Sequence, residues 1–160
     1  AVMSALQILS LEIQRMPKNP QHEFGHLWEY PLRSVCTIST HDMATLRGWW
    51  EEDPALTARY YNQVLGQWGE VPVTAPGWAC EEIVRQHLQC PSLLCILAFQ
   101  DWLSMDEDLR YPDANAERIN VPANPRHYWR YRMHLTLEDL MKNKAFNKKM
   151  TEMIDEAGRY

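Results

Sequence analysis

Residues Ser92–Phe99, SLLCILAF, form an unbroken apolar run directly after Pro91. A segment apolar at every position has no face to give to water, so as a strand it belongs inside a parallel sheet covered by helices. The run ends at Gln100-Asp101-Trp102, which puts polar groups at its C-terminal end. An earlier run, Ser34–Ser39 (SVCTIS), is β-rich and ends abruptly at Thr40-His41-Asp42. Ile8–Met16, carrying Leu9, Leu11 and Ile13 ahead of Pro17, is a third strand candidate. Helical patterns lie between the later two. Asp53-Pro54 reads as an N-cap followed by proline at the first helical position, and Leu56, Tyr60 and Val64 make an apolar stripe that stops at Gly66. Gly66–Gly77 is turn-rich. A second helix from Pro76 to Leu88 is expected to bury Ala79, Ile83, Val84 and Leu88. Strands alternating with helices predict an α/β fold with parallel strands.

In barrels of alternating strands and helices, the C-terminal ends of the strands carry the active site. Two strands that end in polar groups, at His41-Asp42 and at Gln100-Asp101, predict one such face. A complete eight-stranded barrel takes about 250 residues, and a chain of 160 accommodates only part of one. On local pattern alone His41-Asp42 reads equally well as a polar strand–helix turn, with Asp42 as the N-cap of the helix that follows. The rest of the chain is less regular. Ala1–Gln7 resembles the tail of a helix, and the proline-rich stretch Lys18–Pro31 reads as a loop. Ser104–Arg126 is irregular. Tyr128–Arg132 is expected to stack its aromatics against buried guanidinium groups. Thr136 opens a last helical region, with Leu137, Leu140, Met141, Met150, Met153 and Ile154 inward, running to Gly158. Lys142, Lys144, Lys148 and Lys149 fall on its solvated face.

A net charge of −5 and a pI near 5.7 argue against nucleic acid and anionic membrane surfaces as partners. No apolar run approaches the roughly 20 residues of a transmembrane helix, and no signal-peptide pattern is present. Cys36, Cys80, Cys90 and Cys95 lack metal spacing and read as small apolar residues, which fits a cytoplasmic protein with reduced thiols. His22 and His26 are four apart, but Gly25 and the prolines argue against the helix that would align them as ligands. They read as exposed loop histidines rather than a zinc pair. Seven Trp and seven Tyr exceed what the core needs and fit either a sugar-stacking cleft or an internal interface.

Three motifs in order, STHDMATLRGWW, Gln100-Asp101 and ERINVPANPRHYWRYR (Glu117–Arg132), resemble the last third of the alpha-1,4-glucan 4-glucanotransferases, the amylomaltase or disproportionating enzymes. LSLEIQRMPKNP and HYWRYRMHL look closest to the branch shared by some bacterial enzymes and the plant cytosolic form. The resemblance implies the C-terminal portion of a (β/α)8 (TIM) barrel, about three parallel strands with flanking helices, and one partial catalytic unit over 1–160. It implies retaining transfer of alpha-1,4-glucan segments between maltooligosaccharides, with no cofactor. Asp42 matches the carboxylate that stabilises the transition state by gripping hydroxyls of the distorted sugar. His41 matches its neighbouring hydrogen-bond donor, and Asn120, in Arg118–Pro122, matches a cleft-lining asparagine. Ile119 and Ala123 stand where the family commonly has Met and Gly. Gln100, Asp101, Trp129 and Arg130 also match family positions. They read as loop-tying or structural, with Gln100, Asp101 and Trp129 as further candidates for the cleft.

Retaining enzymes need a nucleophile and an acid/base carboxyl flanking the scissile bond. The resemblance puts both on strands before the matched region, and no Glu-Asp-Leu-Gly-like stretch occurs in residues 1–160. The chain therefore reads as a C-terminal piece of a larger enzyme, inactive alone and prone to self-association through an open barrel edge. Two other classes stand beside that reading: a non-catalytic carbohydrate-binding or scaffold domain, and a metal-dependent hydrolase using His22, His26 and His41.

Overall fold

The computed structural model describes residues 2–159; Ala1 lies outside them, and the rest of the expected helix tail begins with a short helix, α1 (Val2–Ala5). The three strand candidates form one parallel sheet in the order β1 (Ser10–Ile13), β2 (Ser34–Thr37), β3 (Leu94–Cys95). Leu11 lies beside Val35, and Val35 beside Leu94. Parallel neighbours require crossovers. The second contains α2 (Leu46–Glu52), α3 (Pro54–Gln63) and α4 (Gly77–Gln89). The first, over 14–33, has only a 3-10 turn at Leu27–Glu29. All three strands are shorter than their apolar runs. Among the described residues β3 is an edge paired only with β2, and Phe99 already opens a short helix, α5 (Phe99–Leu103).

The sheet has two unlike faces. One carries Glu12, Cys36 and Cys95 against the helices, with Cys36 fully buried. The other carries Leu11, Leu94 and Ile96, which are 49%, 43% and 60% exposed. That corrects the expectation of a strand covered on both faces: three strands make an open arc, and an arc leaves its concave side bare. In β1 the expected polarity also inverts, since Glu12 and Gln14 are buried while Leu11 is not. Both polar side chains are satisfied inside. Glu12 accepts from Ser10 Oγ at 2.6 Å and Lys18 Nζ at 2.5 Å, and Gln14 Oε1 accepts from the Tyr60 hydroxyl at 2.6 Å.

The helix starts follow their sequence signals. Asp53 Oδ1 accepts from Ala55 N and Leu56 N at 3.0 and 3.1 Å, with Pro54 at the first position of α3. Gly66, at φ +63°, takes the left-handed conformation that ends the turn beyond α3. In α4, Ala79, Ile83, Val84 and Leu88 are buried as their spacing predicts. They join Ile38, Trp50, Tyr60 and Leu103 in the main core.

The C-terminal region departs from expectation in three places. It is two helices, α6 (Leu137–Lys142) and α7 (Lys144–Glu156), because Asn143 leaves helical geometry and caps α7 through Phe146 N at 3.0 Å. The break resets the phase of the apolar stripe. Met153 is buried and Met150 and Ile154 pack on the core, whereas Leu137 and Met141 face solvent. Arg130 and Arg132 are exposed rather than buried, although Arg130 does lie over the Tyr128 ring, 5.0 Å from its centroid. In the first crossover, His22 and His26 are half-buried rather than exposed, their rings stacked 4.1 Å apart. The four lysines of the last region are exposed as expected.

Candidate active site

β2 ends at Thr37, and the chain reaches the C-terminal side of the sheet before helix α2 begins. The cap of α2 is Thr45, whose hydroxyl accepts from Gly48 N at 3.4 Å. Asp42 is therefore not the N-cap that the local pattern allowed; it sits in the turn ahead of the helix. His41 and Asp42 are each more than half exposed, with His41 Nε2 3.2 Å from Asp42 Oδ2. The other carboxylate oxygen, Oδ1, accepts from Asn120 Nδ2 at 2.7 Å. Trp129, 59% exposed, holds its ring 5.1 Å from that of His41 at a 43° tilt. One exposed carboxylate thus stands between an imidazole and an amide, with an indole face alongside. Such a set can accept from sugar hydroxyls, donate to them and stack on a pyranose ring.

Asn120 is far away in sequence and arrives on a loop held from beneath. Glu117, almost fully buried, accepts from Arg47 Nη1 at 2.5 Å and from Thr45 Oγ1 at 3.0 Å. Burial raises the Glu117 carboxyl, while the neighbouring Arg47 opposes that shift. Gln100 Nε2 donates to Glu117 O at 3.4 Å, and Arg118 Nε to Asn120 O at 3.0 Å. His127 Nε2, 2.9 Å from Ile119 O, secures the other side. Arg47 and Glu117 lie within the motif strings, yet no local pattern signals their pairing. Two opposite charges separated by seventy positions become partners only through the fold.

Gln100 and Asp101 are both buried. Asp101 accepts from Leu46 N at 2.9 Å and from the Ser39 hydroxyl. Its burial raises the carboxyl, and those two donors and Arg15 oppose the rise. Arg15 itself donates to Ile38 O and Ala44 O at 2.8 and 3.0 Å and lies over Trp49. These contacts tie the ends of β1, β2 and β3 to the start of α2. A small cavity of about 190 Å³ opens beside them, lined by His41, Gln100 and Ile119 among others. His41 does not join His22 and His26: the cluster that the structure assembles from those two contains Glu29 instead.

The sequence model of the 4-alpha-glucanotransferases matches residues 1–137, most of the chain. The chain belongs to the 4-alpha-glucanotransferase family. It is 40% identical over 158 residues to the 4-alpha-glucanotransferase DPE2 of Oryza sativa subsp. japonica, covering 99% of this chain and 17% of that protein. To the 4-alpha-glucanotransferase of Chlamydia caviae it is 30% identical over 151 residues, covering 92% and 28%. The chain thus spans well under a third of the length of these relatives. In fold it is similar to an amylomaltase from Streptococcus agalactiae, solved in complex with acarbose, with a TM-score of 0.70 and 18% identity over 99% of this chain and 29% of that one. That likeness supports the family's barrel architecture for the three parallel strands and their helices.

Proposed function

We propose that this chain supplies the sugar-gripping side of a 4-alpha-glucanotransferase active site. Residues 1–160 act there as one arc of the catalytic barrel, and Asp42 is the carboxylate that stabilises the transition state. His41 and Asn120 bind hydroxyls of the same sugar, and Trp129 offers a stacking face. The observation that carries this reading is the Asp42 carboxylate, exposed at a strand's C-terminal end and held by His41 and Asn120. A retaining transfer passes through a glycosyl-enzyme and an oxocarbenium-like transition state. As the ring flattens, its hydroxyls shift and positive charge grows, so a fixed carboxylate binds the transition state more tightly than the ground state.

Asp42 is the one exposed carboxylate of this cluster, since Asp101 and Glu117 are buried and fully occupied by protein donors. A nucleophile and an acid/base are still required, and in this reading they belong to the rest of an enzyme of the relatives' length. Alpha-glucans are the substrate and the cytoplasm is the compartment, the latter supported by four unpaired cysteines. Among the described residues, no helix is long and apolar enough to cross a membrane. Copies of the isolated chain associate through the open barrel edge, beside which Leu11, Leu94 and Ile96 are exposed, and sedimentation across a concentration series would detect this.

Acarbose, present in the Streptococcus agalactiae amylomaltase structure, is a suitable probe. Nuclear magnetic resonance of the 160-residue chain with acarbose is expected to shift the His41 and Trp129 ring signals, and Asp42→Ala to abolish the shift. The chain alone is expected not to disproportionate maltotriose. Acarbose shifts confined to other residues would overturn the assignment of this cluster.

A further inference from the structure

The first crossover, 14–33, runs from the end of β1 back to the start of β2 with only one 3-10 turn of its own. A long irregular segment in a compact fold needs pinning. Phe24 and Leu27 are buried anchors, and Gly25 N donates to Gln14 O at 2.7 Å. Around these anchors His22 and His26 stack at 4.1 Å with their planes 27° apart, and His26 Nδ1 lies 3.1 Å from Glu29 Oε1. One ligand-capable atom from each of the three residues lies within 4.8 Å of the other two. His22 and His26 border an open cavity of about 810 Å³, and no Lys or Arg is among its described lining residues. Cys90 and Pro91, just ahead of β3, border the same cavity. His41 and Asp42 are not among those lining residues.

We propose that His22, His26 and Glu29 bind a divalent transition-metal ion, zinc by donor set, which staples the first crossover. Two imidazoles and one carboxylate are a donor set that zinc accepts, with the carboxylate bringing one negative charge to the divalent ion. Zinc takes such nitrogen and oxygen donors tetrahedrally with bonds of about 2.0–2.1 Å, so the ligand–ligand edges are about 3.3 Å. The His26–Glu29 separation of 3.1 Å is already close to that edge. The wider separations close by about 1.5 Å at most, through rotation of side chains that are half-buried or exposed. In doing so the imidazoles open from their stack. Water from the cavity takes the fourth position. The loop context that argues against a helical histidine pair does not argue against this site, because the crossover itself brings the three side chains together.

The test titrates the metal-stripped 160-residue chain with Zn²⁺ and then Co²⁺, following calorimetry, visible absorption and hydrogen exchange. The expected result is one ion per chain and a tetrahedral cobalt spectrum without a thiolate charge-transfer band. Zinc is also expected to increase exchange protection across 19–30. His22→Ala and His26→Ala should each weaken zinc binding by about 100-fold, and Glu29→Gln by about 10-fold. Glu29→Gln is exposed and conservative, so its result stands even where a histidine variant folds poorly. Absence of stoichiometric binding would overturn the proposal, as would unchanged affinity in Glu29→Gln together with His26→Ala. A thiolate band would also overturn it, by assigning the ion to the Cys36–Cys90 pair, whose sulfurs lie 3.2 Å apart.

Discussion

Asp42 and Asp101 both follow an apolar strand of the same parallel sheet, and both have a polar residue just before them. One is more than half exposed; the other is fully buried. Asp42 spends its oxygens on two neighbours that themselves face solvent, His41 and Asn120. Asp101 spends its oxygens on Ser39 and on the first amide of α2, with the Arg15 guanidinium acting on its charge. The two carboxylates divide the work of a strand end: one is presented and the other holds the presenting loop in place. Position at a strand's C-terminal end is therefore not enough to identify a ligand-binding group. What surrounds the oxygens decides.

The sharpest separation of the two roles comes from kinetics on a full-length enzyme carrying this sequence. Asp42→Asn is expected to lower kcat on the order of 10²–10⁴-fold with a much smaller effect on substrate binding. Its thermal stability should stay within about 0.5 kcal/mol, because the side chain is exposed. Near-normal turnover would remove Asp42 from the mechanism. Asp101→Ala should behave in the opposite sense. It leaves the Leu46 amide and Ser39 hydroxyl buried without an acceptor, and urea unfolding should show a loss of about 3 kcal/mol. A neutral result would mean that the strand ends are held by other contacts.

The same contrast exists between two histidines. His41 is exposed at the site, whereas His87 is buried in α4, where burial lowers its pKa from 6.5 to about 4. The unfolded chain therefore takes up the proton first. The stability that depends on neutral His87 is complete above pH 6.5 and is lost as the pH falls toward 4. The size is about 3 kcal/mol. Asp101 and Glu117 act against it: their raised carboxyls favour the folded state as they protonate. Chemical unfolding at several pH values, compared with His87→Leu, isolates the histidine contribution; the variant should flatten that acid limb whatever its absolute stability. An unchanged limb would place the acid sensitivity elsewhere. The smallest of the four effects is expected for His41→Ala in the full-length enzyme, a loss of about 10–10²-fold in kcat, since a neutral donor stabilises less charge than a carboxylate. A loss matching that of Asp42→Asn would show the pair acting as a single unit.

Much of this was legible in the residues. The apolar runs, the Asp53-Pro54 start and the stripe of α4 follow from local periodicity and capping, which each segment carries within itself. The three resembling motifs also pick out Asp42, His41 and Asn120 without reference to any contact between them. Burial was not legible. Leu11 and Ile96 look like core residues and are bare, because the sheet is an arc whose concave side has no cover among the described residues. Glu12 and Gln14 look like surface residues and are buried, because Lys18 and Tyr60 reach them. Leu137 and Met141 turn outward because Asn143 breaks the last helical region. The Arg47–Glu117 pair that holds the Asn120 loop is likewise a product of the fold. Sequence alone located the three strand segments, the start of α3, the stripe of α4 and the motifs the chain carries, since those depend on neighbours a few positions apart. Which side chains meet, and which carboxylate faces water, depended on contacts between residues tens of positions apart, and only the tertiary structure decided those.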